Sequence, residues 1–196
     1  NEFTSNAIGR PRNVFYTQFP NNNITISNNL FYNFLRRRLN PETSAQSNAI
    51  FVTGNSSFWT IRGNSFYENQ QDNTILPNNP NNLELAIIRI SSSTGNNFLI
   101  ENNYIGGSDS LAQLTWNKSA INNVLGNNTF TAIHLTTGTG TGNQVRGNVI
   151  RGFNWNNSGN ANWTGIHIAR GNASIGGPDV GDGNIIGSGT ITESIV

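Results

Sequence analysis

Cysteine and methionine are both absent from this chain of 196 residues. Without cysteine there is no disulfide, no thiol nucleophile and no cysteine-ligated metal, although this absence alone does not assign a cellular compartment. Without methionine the chain lacks the usual initiator residue. We therefore expect a processed protein or a segment of a longer one, folded as a single domain over residues 1–196.

Charge and long apolar runs are also scarce. Only 11% of the residues are charged and the net charge is +1, which excludes a protein that binds nucleic acid through a basic patch. No apolar run reaches the length of a membrane span, and no signal peptide is visible. No segment shows an apolar period of 3.6 residues that is long enough for a helix, so we predict almost no helix.

Asparagine and glycine are abundant, with 37 and 21 copies. Both residue types tolerate the left-handed backbone conformation of tight turns, so the chain must turn often. Hydrophobic residues make up 35% of the chain, which suits a narrow core better than a wide one.

Two kinds of short strand alternate from Val14 onward. The first kind is an Ile-x-Ile run, as in residues 50–52, 88–90, 112–114, 133–135 and 166–168. The second kind carries an Asn after a short alternating segment, and its Asn residues mark the repeat: Asn29, Asn64, Asn103, Asn128, Asn148 and Asn184. Their uneven spacing indicates fixed strands with loops of variable length, and we place loop insertions at residues 35–46, 70–82 and 154–162.

A coil with one such repeat per turn would stack like residues on like, about 4.8 Å apart. The six marker Asn residues would then form one hydrogen-bonded ladder at a bend between strands. Three inward apolar columns follow from the same register: Ile24, Trp59 and Phe98; Ile26, Ile61, Ile100, Leu125 and Val145; Phe31, Phe66, Ile105, Phe130, Ile150 and Ile186.

The repeated strands, together with Asn172-Ala-Ser-Ile-Gly-Gly and Gly183-Asn-Ile-Ile, resemble the right-handed parallel β-helix of pectate-lyase-like proteins and of secreted or surface repeat proteins of bacteria. The resemblance covers residues 14–196. It implies an all-β fold, a solenoid of about six coils with loop insertions, in an extracellular or cell-surface protein. It does not fix the activity, because one fold hosts many functions.

One outward column is the main candidate for a binding site. The middle residues of the Ile-x-Ile strands would share a flat sheet face, and they are Phe51, Arg89, Gln113, His134 and His167. Their polar groups could contact sugar hydroxyls, or they could simply be the polar residues of a solvated face. Trp116 and Trp155 lie in or beside predicted loops, where they could stack on sugar rings or cap the core.

Catalytic and metal-binding groups are harder to assemble. Enzymes of this fold need clustered acids that hold calcium, or two or three adjacent carboxylates. The only close acidic pair is Asp179 and Asp182, which could hold a cation but are more simply explained as turn formers. We expect no cofactor. The Arg36–Arg38 triplet could contact an anionic glycan, or be a solvated loop.

These observations favour a non-catalytic stalk or binding module for adhesion or glycan contact, with a polysaccharide or cell-surface glycan as partner. A carbohydrate-active enzyme, lyase or hydrolase, is the alternative from another class. A third is a filament subunit that joins other copies, or other segments of the same protein, end to end. The alternating residues Thr190–Val196 predict a final strand that leaves an open coil edge.

Overall fold

A computed structural model describes residues 1–3, 11–35, 46–69, 83–118 and 127–187. Every regular element in these ranges is a β-strand, and no helix there is long and apolar enough to cross a membrane. The strands are β1 (Glu2–Phe3), β2 (Asn13–Tyr16), β3 (Asn22–Ser27), β4 (Leu30–Tyr32), β5 (Gln46–Val52), β6 (Ser57–Arg62), β7 (Ser65–Tyr67), β8 (Leu83–Ser91), β9 (Phe98–Glu101), β10 (Tyr104–Ile105), β11 (Trp116–Lys118), β12 (Asn128–Thr136), β13 (Gln144–Arg146), β14 (Val149–Ile150), β15 (Phe153–Trp155), β16 (Trp163–Arg170), β17 (Ser174–Ile175) and β18 (Ile185–Ile186).

The strands form three long parallel sheets that the chain visits in turn. Sheet 1 has the order β2-β5-β8-β12-β16, sheet 2 has β3-β6-β9-β13-β17, and sheet 3 has β1-β4-β7-β10-β14-β18. A fourth, short sheet pairs β11 with β15. Each of these strands pairs in parallel with its counterpart one turn away, which confirms the predicted all-β parallel β-helix.

The interior columns also have the predicted register. Trp59 pairs with Ile24 and Phe98, and Ile100 pairs with Ile61 and Val145. The third column runs through Phe31, Phe66, Ile105, Ile150 and Ile186. The alternation of apolar and polar residues therefore predicted these inward positions correctly, because only one face of each strand is buried.

An asparagine ladder runs along the corner between sheets 2 and 3. Asn103 is fully buried; its Nδ2 donates to Asn148 Oδ1 at 2.9 Å, and its Oδ1 accepts from Asn64 Nδ2 at 3.1 Å. Each buried amide thus satisfies backbone and side-chain partners in two coils. The ladder consists of Asn1, Asn29, Asn64, Asn103, Asn148 and Asn184.

The prediction for Asn128 is wrong. Asn128 begins β12 of sheet 1, where it pairs with Leu83, while the ladder passes directly from Asn103 to Asn148. Phe130 follows it into sheet 1 and pairs with Leu85, so it too leaves the predicted column. The Asn-x-Phe pattern at residues 128–130 matches the marker pattern by residue type, but strand pairing gives it another place.

The residue before each of the four ladder residues Asn29, Asn64, Asn103 and Asn148 has a left-handed backbone. Asn and Gly alternate at this position, with φ of 57°, 60°, 56° and 60° at Asn28, Gly63, Asn102 and Gly147. A Cβ atom on Gly63 would lie 2.4 Å from Asn28 Oδ1, and one on Gly147 would lie 2.2 Å from Asn102 Oδ1. The amide of each Asn therefore fills the space that a side chain on the next Gly would need.

The first residues of the chain belong to the β-helix, which the sequence did not indicate. Residues 1–13 carried no predicted strand, yet β1 pairs with β4, and the ring of Phe3 stacks on Phe31 with centroids 5.0 Å apart. Several predictions lie outside the described residues: the loop insertion at 35–46 except for its two end residues, the insertion at 70–82, the Arg36–Arg38 triplet, Leu125 and the C-terminal strand at 190–196.

Candidate functional site

One row of side chains crosses all five strands of sheet 1 on its outer face. Strand pairing aligns Tyr16, Phe51, Arg89, His134 and His167 in register. The apolar residues that flank each of the middle members are buried in the core, so the row itself projects away from it. We call these five residues the outer row.

Tyr16 is the member that the sequence prediction missed. It lies 35 residues before Phe51, and this interval also separates Asn29 from Asn64 in the ladder. The equal spacing was therefore a usable signal. The prediction overlooked Tyr16 because its strand, Asn13–Tyr16, lacks the Ile-x-Ile pattern.

Gln113 does not belong to the outer row. The segment around it is a turn rather than the predicted strand, and Ala112 has a φ of 54°. Asp109 Oδ1 accepts hydrogen bonds from the backbone N–H groups of Leu111 at 3.1 Å and Gln113 at 2.8 Å. This carboxylate closes the turn locally, and Gln113 is left exposed there.

Trp116 and Trp155 lie in the core rather than on the surface. Trp116 is only 3% exposed, and its ring contacts Phe153 at 5.3 Å and Phe130 at 6.1 Å between centroids. Trp155 packs on Phe130 at 4.7 Å. These rings fill the corner between sheets 3 and 1, so they cannot stack on a ligand at the surface.

Arg89 is held in an ion pair on the outer row. Its side chain is almost fully buried, and Nη2 lies 2.6 Å from Glu84 Oε1 while Nε donates to Asn48 Oδ1 at 3.1 Å. Burial alone would raise the pKa of Glu84, but the hydrogen bonds and charge of Arg89 and the hydrogen bond from Gln46 together lower it. Glu84 therefore stays ionised and compensates the charge of Arg89.

The two histidines are neighbours, as predicted. The ring centroids of His134 and His167 are 4.9 Å apart, and the rings are nearly perpendicular. His167 is exposed, and His134 is half-buried. Burial, the charge of Arg89 and the proximity of His167 lower the pKa of His134 from its ordinary value to about 4. The imidazole of His134 is therefore neutral at pH 7, with one nitrogen that donates and one that accepts hydrogen bonds.

The other end of the row is aromatic. The rings of Tyr16 and Phe51 lie 5.5 Å apart and are tilted by 35°, and Tyr16 is 50% exposed. The outer row thus passes from two aromatic rings, through an ion-paired arginine, to two imidazoles. It offers ring faces and hydrogen-bonding groups with little net charge.

Asp179 and Asp182 form a local turn. Asp182 N–H donates to Asp179 O at 3.1 Å, and Asp179 N–H donates to Asp182 Oδ2 at 3.4 Å. Asp182 Oδ2 also lies 3.6 Å from Arg146 Nη1. Within the described ranges, no three His, Cys, Asp or Glu side chains are grouped so that they could hold a metal ion.

No protein-family model, curated protein or solved structure matches this chain in the three comparisons that were made.

Proposed function

We propose that this chain is a non-catalytic carbohydrate-binding module of an extracellular protein, and that the outer row binds the glycan. The outer row is the observation that carries the proposal. It is a continuous line of three ring types and an arginine across five strands that are spaced about 4.8 Å apart, so it spans about 19 Å.

The chemistry of the row suits a sugar. A pyranose has an apolar C–H face that packs on aromatic rings and a rim of hydroxyl groups that both donate and accept hydrogen bonds. Tyr16 and Phe51 supply the rings, while His134 and His167 supply the complementary hydrogen-bonding nitrogens. A polysaccharide laid across the strands would meet an exposed or half-buried side chain at four of the five strands, while the buried Arg89 supports the row from below.

The extracellular placement and the pectate-lyase-like, bacterial character remain part of the proposal. Their support is the resemblance of the repeated strands and of the Gly-rich coil at residues 172–186. The rigid ladder of buried Asn amides is compatible with a stalk that presents such a face.

The test is retention on a glycan array. Replacing both His134 and His167 with Ala should weaken binding roughly thirtyfold, because each substitution removes a hydrogen-bonding group worth about 1 kcal/mol. Tyr32→Ala is the matched control: Tyr32 stacks on Tyr67 at 5.1 Å, but on sheet 3. An unchanged profile for the histidine variant, or an equal loss for Tyr32→Ala, would contradict the assignment of the outer row.

A further inference from the structure

In four coils a residue at the start of the sheet 2 strand, or just before it, has a left-handed backbone. Trp59 pairs with Ile24 and Phe98, so the residues that precede these three are equivalent. Asn23, Phe58 and Asn97 have φ of 60°, 60° and 61°. Gly142 continues the series with a φ of 94°, and a Cβ atom on it would lie 2.1 Å from Asn97 Oδ1.

Phe58 is the exception in this series. A left-handed φ brings Cβ close to the following carbonyl oxygen. Gly has no Cβ, and the side chain of Asn can compensate the contact with a local hydrogen bond. A bulky aromatic side chain has no such hydrogen bond, so the conformation is strained. Phe58 is 54% exposed, so burial of its ring does not explain its presence. Strained residues of this kind persist where the surrounding structure fixes them, and they concentrate at functional sites.

Hydrogen bonds from neighbouring coils fix the strained conformation. Phe58 N–H donates to Asn96 O at 3.0 Å, and Ser57 N–H donates to Asn22 Oδ1 at 2.8 Å. Trp59 Nε1 donates to Asn21 O at 2.7 Å, which ties the preceding turn to the strand of Phe58. The ring is therefore presented from a rigid support.

Two more exposed aromatic residues flank the same corner. Tyr16 ends β2, and Phe19 lies in the turn that follows it and is 71% exposed. Residues 14–27, 50–61 and 90–100, which form this corner in three coils, contain no Lys, Arg, Asp or Glu. These three segments therefore combine aromatic rings with amides and hydroxyls, and none of their side chains carries a charge.

We propose that Phe58, with Tyr16 and Phe19, forms a second part of the glycan-binding surface, and that the glycan it accepts is electrically neutral. This inference rests on the proposed carbohydrate binding and adds a contact residue and a ligand class to it. Phe58 packs on the apolar face of a sugar ring, and the surrounding Asn and Ser groups bond its hydroxyls. An anionic uronate polymer would find no cation here to compensate its charge.

The experiment compares wild type with Phe58→Asn, which installs the residue found at the equivalent positions 23 and 97. Urea denaturation should show a higher midpoint for the variant, because the strain is relieved. Affinity electrophoresis in gels that contain mixed-linkage β-glucan, galactomannan or hydroxyethyl cellulose should show about tenfold weaker retention than wild type in the gel that retards wild type most. Polygalacturonate and alginate gels provide the anionic comparison.

Two control variants separate strain from binding. Asn97→Phe introduces the same strain one coil further along and should lower the urea midpoint. Phe58→Tyr keeps both the strain and the ring, so it should retain wild-type retention and midpoint. Retention on the neutral polymers should also be insensitive to added NaCl.

The outcomes separate the two proposals. A more stable Phe58→Asn with unchanged retention, or a less stable one, overturns the inference about Phe58 and leaves the outer row standing. Retention of wild type by the uronate polymers alone overturns the neutral ligand class. Wild type that binds none of these polymers and no glycan on the array overturns the proposed function itself.

Discussion

His134 shows how neighbouring groups decide the state of one side chain. It lies in register between Arg89 and His167, and it is partly shielded from solvent. A protonated His134 would place a second positive charge beside Arg89 on the same sheet face, and the two charges would repel each other. The neutral imidazole avoids this repulsion, and its Nε2 lies 3.5 Å from Thr136 Oγ1.

This arrangement predicts a loss of stability in mild acid. The ordinary pKa of histidine is 6.5 and that of folded His134 is about 4, so the unfolded chain binds more protons between these values. Stability is therefore fully present above pH 6.5 and falls as the pH approaches 4, by about 3 kcal/mol at most. Urea denaturation of wild type and His134→Gln between pH 7.5 and 4.5 checks this. The variant should show a flatter profile, and parallel profiles would contradict the prediction.

Some residues could not have been placed from the sequence. Lys118 is buried, with Nζ bonded to Asn157 Oδ1 at 2.7 Å and lying 5.3 Å from the ring centroid of Trp155. Burial lowers the pKa of Lys118 to about 8. Nothing in the sequence around residue 118 distinguishes this lysine from a solvated one, because its burial depends on a strand that follows 35 residues later.

At the scale of elements, the asparagine ladder joins the coils at one corner. Asn103 accepts from the N–H and Nδ2 of Asn64, and its own Nδ2 donates to Ile61 O at 2.9 Å. Removal of this amide would leave several buried polar groups without a partner, each at a cost of about 1–3 kcal/mol.

We therefore predict that Asn103→Ala lowers the free energy of unfolding by about 3 kcal/mol or more. Asn1→Ala is the control at the exposed end of the ladder, where Nδ2 donates to Asn29 Oδ1 at 3.2 Å, and it should cost less than about 1 kcal/mol. Urea denaturation at pH 7.5 measures both. Equal losses would show that depth in the ladder does not matter.

The sequence predicts where the strands lie better than it predicts which strands pair. Side-chain alternation identified the strands and the inward columns through Trp59 and Ile100, because burial of one face dictates it. Alternation does not say which strand pairs with which, so Asn128 was assigned to the wrong corner. The outer row was predicted at four of its five positions, while Gln113 was misplaced because the Asp109 turn resembles a strand in residue type.

At the scale of the whole molecule, the carboxylates that form ion pairs with other described residues lie at two places. Glu84 pairs with Arg89 on sheet 1, whereas Arg146 on sheet 2 lies 2.9 Å from Glu101 and 3.6 Å from Asp182. The last described strands expose Ile175, Ile185 and Ile186 by about half. The open coil edge and the end-to-end filament remain predictions, because residues 188–196 lie outside the described part of the chain.

Incubation with pectin, polygalacturonate or alginate in the presence of calcium should release neither unsaturated products nor reducing ends. The reason is that each of these two glutamates is neutralised by an arginine and belongs to a different sheet. An active pectate lyase in the same buffer serves as the positive control. Product from any of the three substrates would contradict the prediction and support the enzyme alternative.

The ladder has a consequence for the insertions and deletions that this protein can tolerate in evolution. Successive ladder asparagines are 28, 35, 39, 45 and 36 residues apart, yet their amides meet in the same way. Differences in loop length between coils therefore leave the axial repeat intact. Foreign peptides grafted into the loops of these intervals, outside the strands, would be displayed at fixed heights along the molecule.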